Sequence, residues 1–342
     1  MKGVLLECFG GVDCLRFYDN LKEPKLKEGE VLVEIKSIGL NRVDIWVRKG
    51  VLSYKPKLPL LVCSDASGVV IDADSSVRHL VGKKVVVLPG VSCGSCQSCK
   101  EGNDHLCSDY KLLGFKQSGV SAQVISLPYR NIVEIPDSMD FKEASCIALA
   151  GITAYSALFL KGGLKLGQSV LIWAGASGVG SFAIQLAKLS GANVVASAGS
   201  DEKLELCKSL GANEVFNHYK QDPAEILSKF GGFDLVIDSV GGQTLQKSLS
   251  YVKPGGKVVF FGTTLGSSIE LNIREVFSKN VSLMGLYMGP SWVVFELIKL
   301  YLEGKLKPVI GEVLSLREIA RAHELLEEFK VAGKVVLDVG SW

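Results

Sequence analysis

The chain has 342 residues, is 47% hydrophobic, and carries 38 basic and 36 acidic side chains for a formal charge of +2. That length fills about two domains with well-buried cores, and the near-neutral balance excludes a surface built to hold nucleic acid or another polyanion. The longest apolar run, residues 147–160, contains Gly151 and Thr153. It is shorter than the ~20 residues a spanning helix needs, so it is expected as a buried helix at a domain junction.

At the N-terminus, Glu7 interrupts the apolar start before a secretory core can form, and the expected setting is cytoplasmic. Up to about residue 140 the pattern is one of short strands and turns, with apolar runs at 31–38 and 84–89 broken by Gly, Pro, Asp and Asn. This is the pattern of an irregular β-barrel. Within it, Cys93, Cys96, Cys99 and Cys107 crowd one Gly- and Ser-rich loop. Four thiolates at that spacing suit one tetrahedral zinc, and an all-sulfur set leaves no open position, so the ion is structural. Gly94 and Gly102 supply the turns. Two disulfides or four separate thiols are the alternatives. The other five cysteines, Cys8, Cys14, Cys63, Cys146 and Cys207, show no pairing rhythm and are expected as buried free thiols.

From about residue 168 strands and helices alternate: strands at 169–174, 193–197, 233–238 and 257–262, helices at 180–190, 201–210 and 244–251. Continuous Val, Ile, Leu and Phe runs imply a parallel sheet buried on both faces, an α/β Rossmann arrangement. The first strand runs into Gly175, Ala176, Ser177, Gly178, Val179 and Gly180, after which a helix begins. Gly175 suits the tight turn, Ser177 and Gly178 the approach of backbone N–H groups to a pyrophosphate, and Gly180 the close packing of helix on strand. At the tip of the second strand no Asp or Glu is present. Ser197, Gly199, Ser200, Lys203 and His218 stand there instead, which favours NADP(H) over NAD(H) because an acid would repel a 2′-phosphate. Asp201 is expected as an N-cap. The last stretch predicts helices at 292–303 and 316–329, then a strand at 334–339 that returns to the first domain.

The cysteine lobe, the glycine turn, the Asp238 to Gly241 segment and the final run from Gly333 resemble the medium-chain dehydrogenase/reductase superfamily over nearly the whole length. Gly39, Asn41, Arg42, Asp44, Arg48 and Gly50 resemble its quinone oxidoreductase branch. The resemblance implies a GroES-like β-barrel catalytic domain over residues 1–150 with a zinc lobe near 90–110. It also implies a Rossmann NADP(H)-binding domain over 151–286 and a returning segment over 287–342. In the zinc alcohol dehydrogenases of this superfamily three ligands hold a catalytic metal. Their positions here carry Asn41, Ser64 and Leu149, and the hydroxyl relay positions carry Val43 and Trp46.

Without that metal the expected activity is NADPH-dependent hydride transfer to a quinone or another α,β-unsaturated carbonyl. The candidate catalytic residues are Asn41, Tyr54 and Asp44. The same resemblance implies cofactor contacts from Arg42, Thr153, Ser239, Val240, Gly241, Phe261, Gly262, Thr263, Leu286, Met288 and Lys334. Two other readings stand beside it. One is a zinc-dependent alcohol dehydrogenase with Asp44, Asp65 and His79 as substitute ligands; the other is a non-catalytic NADPH-binding protein. A homodimer is expected through an edge strand at 281–286, with a homotetramer as the alternative.

Overall fold

Val31, Val33 and Ile35 are buried and their neighbours half-exposed along the ten-residue strand Glu30–Gly39, the alternation of a strand with one face on a core. The computed structural model describes residues 1–221 and 223–340, and the chain divides into two units, Met1–Leu149 with Pro308–Trp342, and Ala150–Lys307. The second unit therefore runs past the expected boundary at 286, because the helix Val293–Leu302 belongs to it.

In the first unit Glu30–Gly39 is central. It pairs antiparallel with Asp65–Ala73, with Val124–Pro128 and with the C-terminal strand Lys334–Asp338. That last strand does return to the first domain, and it pairs in parallel with Ile310–Ser315. Gly39 lies opposite both Asp65 and Val336, so residues far apart in sequence meet at one end of this strand. A side chain on Gly39 would bring its Cβ to 2.2 Å from the Ser145 carbonyl oxygen. Only glycine lets the helix Phe141–Tyr155 approach so closely. Helical structure runs over Phe141–Lys161, longer than the apolar run suggested. By length and composition alone it could cross a membrane, yet 72% of its most apolar window is buried within the protein.

In the second unit six strands form a wholly parallel sheet in the order Glu214–Asn217, Asn193–Ala198, Ser169–Ile172, Phe233–Asp238, Val252–Phe260, Ser282–Gly285. All four residues of Ser169–Ile172 are buried, which fits the continuous apolar run that defined it. The order reverses at that strand, and open α/β sheets hold ligands beyond the carboxyl ends of the strands at such a switch. The fold class is the one the sequence implies.

Two local expectations fail. Cys8 and Cys14 are joined in a disulfide with a Cα–Cα distance of 5.1 Å, while Cys63, Cys146 and Cys207 are buried thiols. The five residues between them turn back at Gly10 and Gly11, so the pair meets although nothing in its spacing is periodic. The N-cap before Asp201–Ser209 is Ser200, whose hydroxyl accepts from Lys203 N, and Asp201 is the first helical residue.

Candidate active site and metal centre

The cysteine lobe is framed by a short ladder in which Gly90 and Val91 pair with Leu112 and Lys111. Between them Cys96 caps the helix Gln97–Lys100, and a 3-10 turn at Asp104–Leu106 leads to Cys107. Gly94 and Gly102 have φ of 72° and 76°, the left-handed turns expected of them. The four sulfur atoms lie within 4.8 Å of one another, with Cys93 to Cys99 at 3.9 Å and Cys96 to Cys99 at 3.5 Å. A tetrahedral zinc with bonds near 2.3 Å places its sulfurs about 3.8 Å apart, so the residues fit the ion. Backbone N–H groups of Ser95 and Cys96 donate to the Cys93 sulfur and lower its thiol to about 6, which favours the thiolate a metal needs. Arg130 ties the lobe down by donating to the Cys93 carbonyl at 2.9 Å.

At the end of the central strand a second polar cluster is buried. Asn41 precedes the helix Arg42–Lys49, and its backbone N–H donates to Asp44 Oδ2 at 2.8 Å, the reach of an N3 carboxylate back to the cap. Ser64 Oγ donates to the other Asp44 oxygen at 3.3 Å. The Lys334 ammonium donates to Asn41 Oδ1 at 2.6 Å and to Asp65 Oδ2 at 3.3 Å. Asn41 Nδ2 in turn donates to Asp65 Oδ2 at 2.9 Å and to the Gly39 carbonyl at 3.2 Å, and Leu149 N donates to Asp65 Oδ1 at 2.9 Å. Asp44, Ser64, Asp65 and Lys334 are each at most 2% exposed.

The electrostatics follow from that burial. Burial pushes Asp44 up to about 7, opposed by the Asn41 N–H and by Lys334. It raises Asp65 as well, opposed first by Lys334 and then by Asn41 and Leu149. Three residues that the sequence singled out take other parts here. Both amide hydrogens of Asn41 are bonded within the protein, so the side chain is a fixed strut and not a free donor. Lys334, expected as a cofactor contact, directs its ammonium into the cluster. Arg42, expected near a pyrophosphate, lies over the Phe329 ring at 4.3 Å. Tyr54 stays 45% exposed, edge-on to Phe115.

A catalytic divalent ion does not fit this cluster. The two best oxygen donors, Asn41 Oδ1 and Asp65 Oδ2, already hold a cation, and a second positive charge at contact distance would be repelled in a low-dielectric interior. His79 lies exposed in the 3-10 segment Ser75–Leu80. Among the described residues the one converging group of three or more Cys, His, Asp or Glu ligands is the cysteine set. The substitute set of Asp44, Asp65 and His79 does not form.

The dinucleotide-type turn in the second unit is built as expected. Ser177 caps the helix Gly178–Leu189, accepting from Gly180 N at 3.0 Å. A Cβ on Gly180 would lie 2.3 Å from the Ala174 carbonyl oxygen, so only glycine allows helix and strand this close. Asp238 organises the next loop by accepting from Val240 N, Gly241 N and Thr244 Oγ1 at 2.8, 2.8 and 3.0 Å. That loop packs backbone to backbone on the one holding Phe261, Gly262 and Thr263, since a Cβ on Gly262 would meet the Ser239 carbonyl oxygen at 1.8 Å. Leu286 and Met288 are buried on the same unit.

At the tip of Asn193–Ala198 one expected phosphate ligand is already engaged. Ser197 is fully buried, its hydroxyl accepting from Ala174 N at 3.1 Å and lying 3.2 Å from His218 Nδ1. Burial and the nearby Lys203 lower His218. A Cβ on Gly199 would meet Tyr219 at 2.7 Å. Sequence reasoning missed Tyr219, which carries no motif and is brought there by the neighbouring strand.

A GroES-like first unit and a parallel dinucleotide-type second unit together define a two-unit oxidoreductase. Residues 27–137 match the alcohol dehydrogenase GroES-like domain and residues 178–303 the zinc-binding dehydrogenase family, and the chain belongs to the medium-chain dehydrogenase/reductase superfamily. It is 33% identical over 321 residues to an alcohol dehydrogenase of Geobacillus stearothermophilus, covering 93% of this chain and 94% of that one. It is 29% identical over 347 residues to the quinone oxidoreductase of Pongo abelii, covering 98% and 97%. A solved structure of an NAD-dependent alcohol dehydrogenase superposes with a TM-score of 0.94 at 39% identity, covering 99% and 100%.

Proposed function

We propose that this protein is an NADPH-dependent reductase that delivers hydride to a quinone or another α,β-unsaturated carbonyl, with zinc in the cysteine lobe only. The observation that supports the reading is the Lys334 ammonium on Asn41 Oδ1 and Asp65 Oδ2, which takes up two oxygens that could otherwise ligate an ion. Without such an ion, the acceptor must be electron-poor before it binds.

When bound, the reduced nicotinamide supplies the hydride. The chain supplies its seat. The backbone N–H groups of Gly178 and Val179 at the helix N-terminus receive the pyrophosphate, since those of Gly175, Ser177 and Gly180 are bonded within the protein. Ser200, Lys203 and His218 face a 2′-phosphate, and the absence of a carboxylate at Ala198 and Gly199 removes the repulsion that would exclude it. The loop ordered by Asp238, the segment at Phe261 to Thr263, and Thr153, Leu286 and Met288 border the rest. Tyr54, exposed and held by Phe115, is the residue we assign to proton donation at the acceptor oxygen. The edge strand Ser282–Gly285 is the surface we assign to pairing with a second copy; sedimentation separates dimer from tetramer.

The test is NADPH and NADH oxidation against a panel of quinones and enones, with zinc counted per chain. Turnover that prefers NADPH and survives removal of exchangeable metal is expected. The alcohol dehydrogenase relatives supply the competing outcome: alcohol oxidation with NAD that requires a second zinc would replace this reading.

A further inference from the structure

We propose that Cys8 and Cys14 form a reversible redox centre, a thiol–disulfide exchange site that a small dithiol enters through Cys8 and whose reduction releases the loop that grips Arg48. The exchange needs neither nicotinamide nor zinc. One thiolate of the dithiol attacks the Cys8 sulfur, the bond to Cys14 breaks, and Cys14 leaves as a thiolate that takes up a proton the dithiol has lost. The second thiolate then attacks the dithiol's own sulfur in the mixed disulfide, and Cys8 leaves and is protonated in turn. Two electrons pass from the dithiol to the cysteine pair, and the dithiol becomes a cyclic disulfide. A small disulfide runs the sequence backwards.

Three observations support it. The two sulfurs differ in access: Cys8 is the one exposed cysteine of the chain's nine, whereas Cys14 is 5% exposed. Attack is therefore directed to Cys8, while Cys63, Cys146 and Cys207 are buried and the lobe cysteines converge on one another. Next, the bond is not what closes its loop. The strands Gly3–Leu6 and Leu15–Tyr18 pair along their whole length, ending with Leu6 opposite Leu15, and Glu7 N donates to the Cys14 carbonyl at 3.0 Å. The backbone already holds this hairpin, and a loop so short gains least from a cross-link. Finally, the loop clamps a buried arginine. Gly10 N donates to the Arg48 carbonyl at 2.9 Å, and Arg48 Nη1 donates to the Gly10 carbonyl at 2.7 Å. Arg48 is 1% exposed; its Nη2 pairs with Glu327 of the helix Ile319–Glu327, and its Nε has no partner among the described residues. Gly10 is thus one of the few acceptors it has. Phe9 lies against the end of the same helix, since a Cβ on Gly50 would come to 2.9 Å from Phe9 Cγ. A cavity of about 560 Å³ opens along the loop at Gly10, Gly11, Val12 and Arg48, with room for a small dithiol.

The experiment treats the zinc-loaded protein with dithiothreitol under native conditions, quenches with N-ethylmaleimide and maps the modified cysteines by mass spectrometry. Cys8 and Cys14 should be modified together, reoxidise with oxidised glutathione, and leave Cys63, Cys146 and Cys207 unmodified. In the reduced protein, amide hydrogen exchange should rise roughly 10-fold at residues 8–14 and 48–51. Given oxidised glutathione, Cys14→Ser should take up one glutathione on Cys8, whereas Cys8→Ser should take up none on Cys14. The double variant C8S/C14S should fold and melt cooperatively about 5–10 °C below the wild type. A bond that resists dithiothreitol until the chain melts, or a double variant that does not fold, overturns the proposal, since the disulfide is then a structural staple. Glutathione captured by Cys14 in place of Cys8 overturns the entry route, and unchanged exchange at 48–51 overturns the release of Arg48.

Discussion

The barrel unit contains two places made for positive charge, and they solve the problem in opposite ways. The cysteine lobe gathers four sulfurs from one loop of the sequence and waits for an ion from outside. The cluster at Asn41, Asp65 and Lys334 brings its own cation on a strand more than two hundred residues away. The first is a ligand set on a loop held by one short ladder and two short helical turns, with three of its four cysteines half-exposed. The second is sealed in the core, where a lysine, once paired, cannot exchange.

The contrast is sharpest at the lobe. Cys96→Ser should cost the zinc and the metal-driven order of the segment, on the order of 10 kcal/mol of binding energy; metal analysis and limited proteolysis around residues 93–107 would report it. Next, Lys334→Met leaves Asp65 as a buried acid without its cation and should lower unfolding stability by about 3–5 kcal/mol, measured by denaturant titration, with zinc still one per chain. Asn41→Ala should cost about 1–3 kcal/mol, because Lys334, Asp65 and Gly39 each lose a partner in a dry site. In the other unit, Ser177→Ala removes a helix cap and should cost about 1 kcal/mol while weakening NADPH binding.

The remaining effect is a slope with pH. The folded Asp44, pushed up to about 7, binds its proton more tightly than the unfolded one near 3.9. Between those values the native state holds more protons, so this group's contribution to stability is present below about 4 and is lost as pH rises toward 7. Asp44→Asn should flatten that part of the stability profile. An unchanged slope in thermal melts across this window would show that Asp44 is ionised in the native protein.

What could be read from the chain depends on distance along it. The lobe, the turn from Gly175 to Gly180 and the strand Phe233–Asp238 stand where their local patterns put them, because each is built from neighbours whose spacing already contains the geometry. Ser197 shows the limit. As a hydroxyl at a strand tip it reads as a phosphate ligand, yet it is consumed by Ala174 N and His218, and nothing at position 197 announces that. The disulfide of Cys8 and Cys14 was likewise hidden, since the turn that brings them together has no cysteine pattern.

The two kinds of unit, the zinc loop and the phosphate turn are thus written in the residues alone, since local spacing, hydrophobic period and glycine freedom act over short stretches. The meeting of Lys334 with Asn41 and Asp65 is not, because it depends on Gly39 facing Asp65 on one side and the C-terminal strand on the other. Strand register across a sheet is set by the packing of the whole core, and that is where the charge of this site was chosen.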